Sequence, residues 1–344
     1  MVTRVKDEFR RSAVSPLSIE GLRLREYGSQ LSIIKEINGQ EDRFRSFLIS
    51  YWSDGLKIFA RVNIPVGEIP TEGFPAVVFA HGFSPEPLDP NYFQRPYYEA
   101  WTNAYAEAGF LVIVPGYRGH GVVEGEFAEG GKFLDKYSPL FLTSPFYAID
   151  VLNLLAGLTD ISALEWERYG YVPKPRCLLD VNNLFLSAHS MGGDVALIVL
   201  AVTRAIKAAS IWAGVVASVE DVAEFYTQFE IDEGRTDRPL VVALRNKMRK
   251  IKLAVKAKPF RLEDMNGWNG LFHLKNLAAP LVIHHGTNDG VPADWSMRLD
   301  SELKNLGKES TLFLYKGNDH ELSLNGEHAL AIERDVEFFK NHLR

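Results

Sequence analysis

The segment Leu184-Phe-Leu-Ser-Ala-His-Ser-Met-Gly-Gly193 reads as a short buried strand that runs into a helix through the corner Ala188-His-Ser-Met-Gly192. A serine at such a corner sits in strained backbone with its hydroxyl held out over the end of the sheet. The residues two before and two after it must be small, so that strand and helix can pass closely. Ala188 and Gly192 meet that need, with Ala188 one methyl larger than the usual glycine. The helix that follows opens with N–H groups lacking an intrahelical partner, a favourable place for developing negative charge. Ser190 is therefore the candidate nucleophile, with the Met191 N–H beside it as a candidate oxyanion donor.

A serine hydroxyl needs a base, and the base needs a group to orient it. Leu281-Val-Ile-His-His-Gly-Thr-Asn-Asp-Gly-Val-Pro292 is a strand entering a loop that presents Asp289, with Gly286 and Gly290 permitting the bend. Asp289 is the candidate acid and Asp294 the fallback. Thr311-Leu-Phe-Leu-Tyr315 is the next strand, and the loop Lys316-Gly-Asn-Asp-His320 after it carries the candidate base, His320. His328 is the rival base, expected at the start of the last helix as a surface residue. His81-Gly82-Phe83 follows the apolar strand Ala76–Ala80, and the Phe83 N–H is the second candidate oxyanion donor. His189 is expected to pack beneath the corner, and His284 and His285 to be buried and hydrogen-bonded. No His-Glu-x-x-His, Cys-x-x-Cys, Gly-x-Gly-x-x-Gly or Walker pattern occurs, so neither a metal nor a cofactor is expected.

These residues need a scaffold that brings them to one end of a sheet. Phe44–Trp52 and Lys57–Ile64 are β-rich runs flanking Ser53-Asp54-Gly55, a hairpin signal. Short apolar strands then alternate with helices: Ala76–Ala80, Tyr97–Ala108, Phe110–Val114, Ser144–Leu158, Leu184–Ser187, Gly192–Ala205 and Ala208–Ala213. The alternation resumes with Leu281–His284, Ser296–Leu306, Thr311–Tyr315 and Glu327–His342. This predicts an α/β domain over 44–344, with a mostly parallel central sheet, helices on both faces and antiparallel strands at one edge. Residues 1–43 read as an N-terminal extension.

Residues 217–270 break the alternation, acidic at first and basic from Arg245 to Arg261. They are expected to form a helical cap with solvated charged faces over the open end of the sheet. Phe225, Tyr226, Phe229 and Trp268 are its candidate substrate-binding residues.

Composition narrows the function classes. The chain has 344 residues, a formal charge of −6, and 21 Phe, 13 Tyr and 6 Trp, enough to fill a large core. The acidic excess argues against a nucleic-acid binder. A single cysteine, Cys177, excludes a disulfide scaffold and fits a reducing compartment; with no glycine turn around it, it is taken as structural. The N-terminus lacks the apolar run of a signal peptide, and no segment is expected to cross a membrane, so a cytoplasmic location is expected.

With these pieces placed, the chain from about Phe44 to Arg344 resembles the α/β-hydrolase superfamily, and within it the prolyl oligopeptidase-like and dienelactone-hydrolase-like branch rich in serine esterases. The resemblance is carried by His81-Gly82-Phe83, Tyr117-Arg-Gly-His-Gly121, Ala188-His-Ser-Met-Gly192, Gly286-Thr-Asn-Asp-Gly-Val-Pro292 and Asp319-His320, and by the chain order Ser190, Asp289, His320. That branch often has an aspartate two positions before the arginine, where this chain has Gly116. The cysteine that dienelactone hydrolases use at the corner is replaced by serine here.

The resemblance implies two-step acyl transfer on Ser190, with no cofactor. The expected activity is hydrolysis of a small-molecule carboxylic ester; a serine peptidase acting on short peptides and an acyltransferase are the alternatives. Only about 75 residues precede the oxyanion strand, too few for the propeller of prolyl oligopeptidase-type peptidases, which favours the ester.

Overall fold

The computed structural model describes residues 14–40, 42–84, 87–89, 91–94, 98–131, 143–171, 177–219, 221–222, 225 and 267–344. Nine strands form one sheet in the order β1-β2-β3-β5-β4-β8-β9-β10-β11. β1 (Leu31–Gln40), β2 (Phe44–Ser53) and β3 (Leu56–Pro65) are antiparallel at one edge. β5 (Leu111–Pro115), β4 (Phe74–Ala80), β8 (Leu179–His189), β9 (Ile206–Trp212), β10 (Leu281–Gly286) and β11 (Ser310–Tyr315) follow in parallel. A two-residue ribbon, β6 (Val122–Val123) with β7 (Glu126–Phe127), stands apart. The β2–β3 hairpin turns on Asp54 and Gly55, both at positive φ (53° and 77°), the backbone that Asp-Gly favours in a two-residue turn.

Strict alternation along the strands builds two cores. Ala76, Val78 and Ala80 with Leu184, Leu186 and Ala188 face α3 (Ser144–Gly157), α4 (Met191–Val202) and α5 (Ala293–Asn305). Val77, Phe79 and Phe185 face α2 (Glu99–Glu107) and α6 (Glu327–Asn341), through Trp101, Tyr105 and Phe339. Strands buried on both faces read as unbroken apolar runs, which is why the central ones are plain in the sequence. The strand order reverses between β4 and β8, and in open α/β sheets a site forms past the C-terminal ends of the strands at such a point.

Part of the expected extension over residues 1–43 pairs with the central sheet. Leu31–Gln40 is the edge strand β1, interrupted by register shifts between Ile33 and Lys35 and between Ile37 and Gln40. Ahead of it, α1 (Ile19–Arg23) is capped by the Ser18 hydroxyl and buries Ile19 and Leu22. Arg23 Nε donates to the Ala201 carbonyl at 2.9 Å, placing a cation at the C-terminal end of α4. Most of the expected cap, residues 226–266 with 220, 223 and 224, lies outside the described residues, and Tyr226 and Phe229 lie there too.

Ser144–Ala163, α3 and the 3-10 turns after it, is long and apolar enough to cross a membrane by length and composition, though 67% of that window is buried inside the fold. Asp150 interrupts its apolar run and is fully buried. Its carboxylate accepts from Arg118 Nη2 at 2.6 Å, the Arg118 backbone N–H at 2.9 Å and the Ser53 hydroxyl at 2.6 Å. Burial pushes the Asp150 pKa up, and Arg118 opposes that rise. This pair ties the loop after β5 to α3 and the β2–β3 turn. Breaking a buried pair by removing one partner typically costs about 3–5 kcal/mol. Arg118→Met is expected to lower the urea unfolding free energy by roughly that amount, and adding Asp150→Leu to restore much of it. Equal losses in single and double variants would show that the pairing is not what stabilises this junction.

Candidate active site

Ser190 stands between the last residue of β8 and the first of α4, at φ 55° and ψ −123°, a backbone that a residue with a side chain rarely adopts. Three main-chain bonds hold it there. Its N–H donates to the Trp212 carbonyl at 2.9 Å, and its own carbonyl accepts from Gly193 and Val215, each at 2.9 Å. Gly192 is required by contact: a Cβ there would run into the Ala80 carbonyl of β4. Ala188 fits without difficulty, fully buried between Ala80 and Ile211 of the neighbouring strands.

Asp289 lies three residues past β10, with its side chain 1% exposed. It accepts from the Val291 N–H at 2.8 Å and lies within 3.2 Å of His285 Nε2, which also donates to the Val291 carbonyl at 3.0 Å. His320 Nδ1 lies 2.8 and 3.0 Å from the two Asp289 oxygens. Burial would raise the Asp289 pKa, but the hydrogen bonds from His285 and His320 outweigh it and hold the carboxyl well below its ordinary value. With Nδ1–H committed to the carboxylate, neutral His320 carries its lone pair on Nε2, the tautomer a general base needs. The fallback acid, Asp294, sits instead in the first turn of α5, where a carboxylate complements the helix dipole.

The loop carrying His320 is shaped by side chains the sequence reading passed over. Asn318 is fully buried; its Oδ1 accepts from the Asp319 and Leu324 N–H groups, each at 3.1 Å. The Asp319 carboxylate accepts from the N–H of Glu321 at 3.2 Å and of Ser323 at 2.9 Å. Asx residues bonding the backbone just downstream are the signal that could have marked this loop as pinned. His328, expected on the surface, is packed: its ring stacks on Trp101 at 5.1 Å and 10°. Its Nδ1 also lies 2.7 Å from the Glu321 carbonyl.

The loop after β4, the expected oxyanion loop, approaches the corner closely. A Cβ on Gly82 would come within 2.9 Å of the Ser190 Cβ. The Gly82 N–H donates to Tyr98 Oη at 2.9 Å; the donor expected on this loop is the next amide, that of Phe83. Met191 is the first residue of α4, where no intrahelical acceptor exists for its N–H. His81 stacks on Tyr117 at 4.1 Å and its Nε2 lies 2.9 Å from Tyr92 Oη, so it supports the loop from below.

Of the proposed cap residues, Phe225 packs edge-on to Trp295 at 5.4 Å. Trp268 lies against Leu17 and Val219, with its indole N–H donating to Ser15 Oγ at 3.2 Å, so it is placed with the N-terminal segment. His284 and His285 are fully buried, as expected: His284 lies 2.8 Å from Tyr315 Oη and 2.9 Å from Asp335 Oδ1, and His285 lies 2.7 Å from Ser296 Oγ. Cys177 donates to the Leu179 carbonyl at 3.0 Å.

No family model matches the chain. The esterase YjfP of Escherichia coli is 25% identical over 284 residues, covering 81% of this chain and 93% of that protein. An acetyl xylan esterase from Paenibacillus sp. R4 superposes with a TM-score of 0.59 at 17% identity, covering 94% of this chain and 92% of its own. The acylaminoacyl peptidase of Pyrococcus horikoshii also gives a TM-score of 0.59, at 22% identity over 88% of this chain. This chain spans only 42% of that peptidase. Strand order, serine corner and these likenesses agree on one architecture, and the chain has the α/β-hydrolase fold.

Proposed function

We propose that the chain is a serine hydrolase that cleaves carboxylic esters of small molecules through an acyl-enzyme on Ser190. The observation that carries this reading is the Asp289–His320 pair, with Nδ1 2.8 Å from the carboxylate, on a loop lying against the serine corner. His320 Nε2 takes the Ser190 hydroxyl proton as Oγ attacks the ester carbonyl. The N–H groups of Phe83 and Met191 stabilise the oxyanion. Collapse expels the alcohol with a proton from His320. Water, activated by the same imidazole, then releases the acid. Asp289 keeps the imidazole in one tautomer and stabilises its charged form.

Ester rather than peptide is supported by the near end-to-end match with proteins named as esterases, against the partial match with the peptidase. A peptidase remains the second reading because of that likeness. Assay of p-nitrophenyl esters beside aminoacyl-nitroanilides separates them: faster turnover of the anilides would replace the ester reading.

A fluorophosphonate probe is expected to label the wild type and not Ser190→Ala; labelling that survives, or moves to Cys177, would refute the assignment of the nucleophile. His320→Ala is expected to lower kcat by roughly 10³–10⁵, and Asp289→Asn by somewhat less. An inactive His328→Ala beside an active His320→Ala would transfer the base to the rival histidine.

A further inference from the structure

Among the described residues, the buried ionisable groups outside the triad have separate tasks. Asp150 ties α3 to the loop after β5. Asp335 accepts from Trp212 Nε1 at 2.7 Å and from His284, joining α6 to the sheet. His189 is different, because its ring bonds reach both loops that flank the nucleophile. It points to the α2 side of the sheet, 1% exposed, with Trp101 edge-on at 4.9 Å and the His320 ring at 4.5 Å.

The direction of each bond is fixed by chemistry. His189 Nε2 lies 3.2 Å from the His320 carbonyl oxygen, which can only accept, so Nε2 carries the proton. In the neutral ring Nδ1 is then an acceptor, and it takes the hydroxyl proton of Tyr98 at 3.1 Å. Tyr98 Oη in turn accepts the Gly82 N–H at 2.9 Å. A single run of hydrogen bonds thus joins the oxyanion loop, α2, the residue before the nucleophile and the backbone of the candidate base. Burial, and then the neighbouring His320, push the His189 pKa well down, which keeps Nδ1 available as an acceptor.

We propose that His189 is a positioning residue, whose two ring nitrogens set the His320 loop and the Gly82–Phe83 loop at their working distances from Ser190. The inference rests on the serine-hydrolase reading and adds to it. The Gly82 amide is committed to Tyr98, so the run leaves Gly82 out of the oxyanion site. A displacement of about 1 Å in such a constellation can cost on the order of 100-fold in rate.

Four variants of the full chain separate the two bonds. His189→Phe fills the site and makes neither. His189→Gln can place an N–H near the Nε2 position and keep the bond to the His320 carbonyl. His189→Asn can keep an acceptor for Tyr98. Tyr98→Phe cuts the link to Gly82 by removing one oxygen. With p-nitrophenyl acetate, His189→Phe is expected to lower kcat about 100-fold, with KM within about threefold, and to slow fluorophosphonate labelling in parallel. His189→Gln is expected to recover about tenfold of that loss, and Tyr98→Phe to lose about tenfold in kcat. The proposal is overturned if folded His189→Phe keeps wild-type kcat, if His189→Gln is no faster than His189→Phe, or if the loss is all in KM. Should His189→Phe fail to fold, wild-type kcat in Tyr98→Phe, or wild-type kcat in both His189→Gln and His189→Asn, each of which lacks one of the two bonds, overturns it equally. Ser190→Ala is run beside these: an active Ser190→Ala would sink the nucleophile assignment itself, whereas unchanged His189 variants beside a dead Ser190→Ala would sink this inference alone.

Discussion

A residue with a side chain is held in left-handed backbone at the end of β8, and much of the site follows from that constraint. Such a conformation costs of order 1–3 kcal/mol and persists only where its surroundings over-determine it. At Ser190 they do: the three main-chain bonds from Trp212, Gly193 and Val215 fix the corner from β9 and from the helix at once. The strand order places β4 beside β8, so the loop leaving β4 arrives next to the corner. Gly82 must then lack a side chain for that loop to come so near.

The two faces of the sheet divide the remaining work. On the α3–α4–α5 side, Arg118 and Asp150 hold the loop after β5, and His285 supports Asp289 from within. On the α2–α6 side, aromatic rings fill the space beneath the corner, with Trp101 between His189 and His328. Asp289 is gripped by two histidines from different parts of the chain, one buried and one 30% exposed. Only the exposed one has a ring nitrogen to offer a reacting group.

Most of this frame was legible in the sequence, for a physical reason. Central strands are apolar on both faces, so Phe110–Val114 was expected within one residue of the observed Leu111–Pro115. Where a strand carries polar residues the reading fails. β8 begins at Leu179, yet Asp180, Asn182 and Asn183 look like a turn and hid its first half. β1 was missed because an edge strand needs little apolar character. Ser190, Asp289 and His320 could be read because each follows a recognisable strand. The bonds that set the site could not, since His189 meets His320 across 131 positions and Tyr98 across 91. No local pattern encodes a partner so distant.

The register shifts in β1 bear on what the molecule does in company. An outermost strand offers a row of unpaired N–H and C=O groups to any extended chain that meets it. Here the offer is withdrawn twice along ten residues, where the pairing of Ile33 with Ile49 slips before Lys35 meets Leu48, and again between Ile37 and Gln40. Each slip twists the strand and spoils the regular spacing that templated growth requires. Lys35 and Glu36 add opposite charges on adjacent positions of the same strand, and Lys35 pairs outward with Glu124 at 3.5 Å. The register shifts of β1 therefore work against growth of the sheet at this edge, and the long hairpin beside it can be broad and apolar without becoming a seed for aggregation.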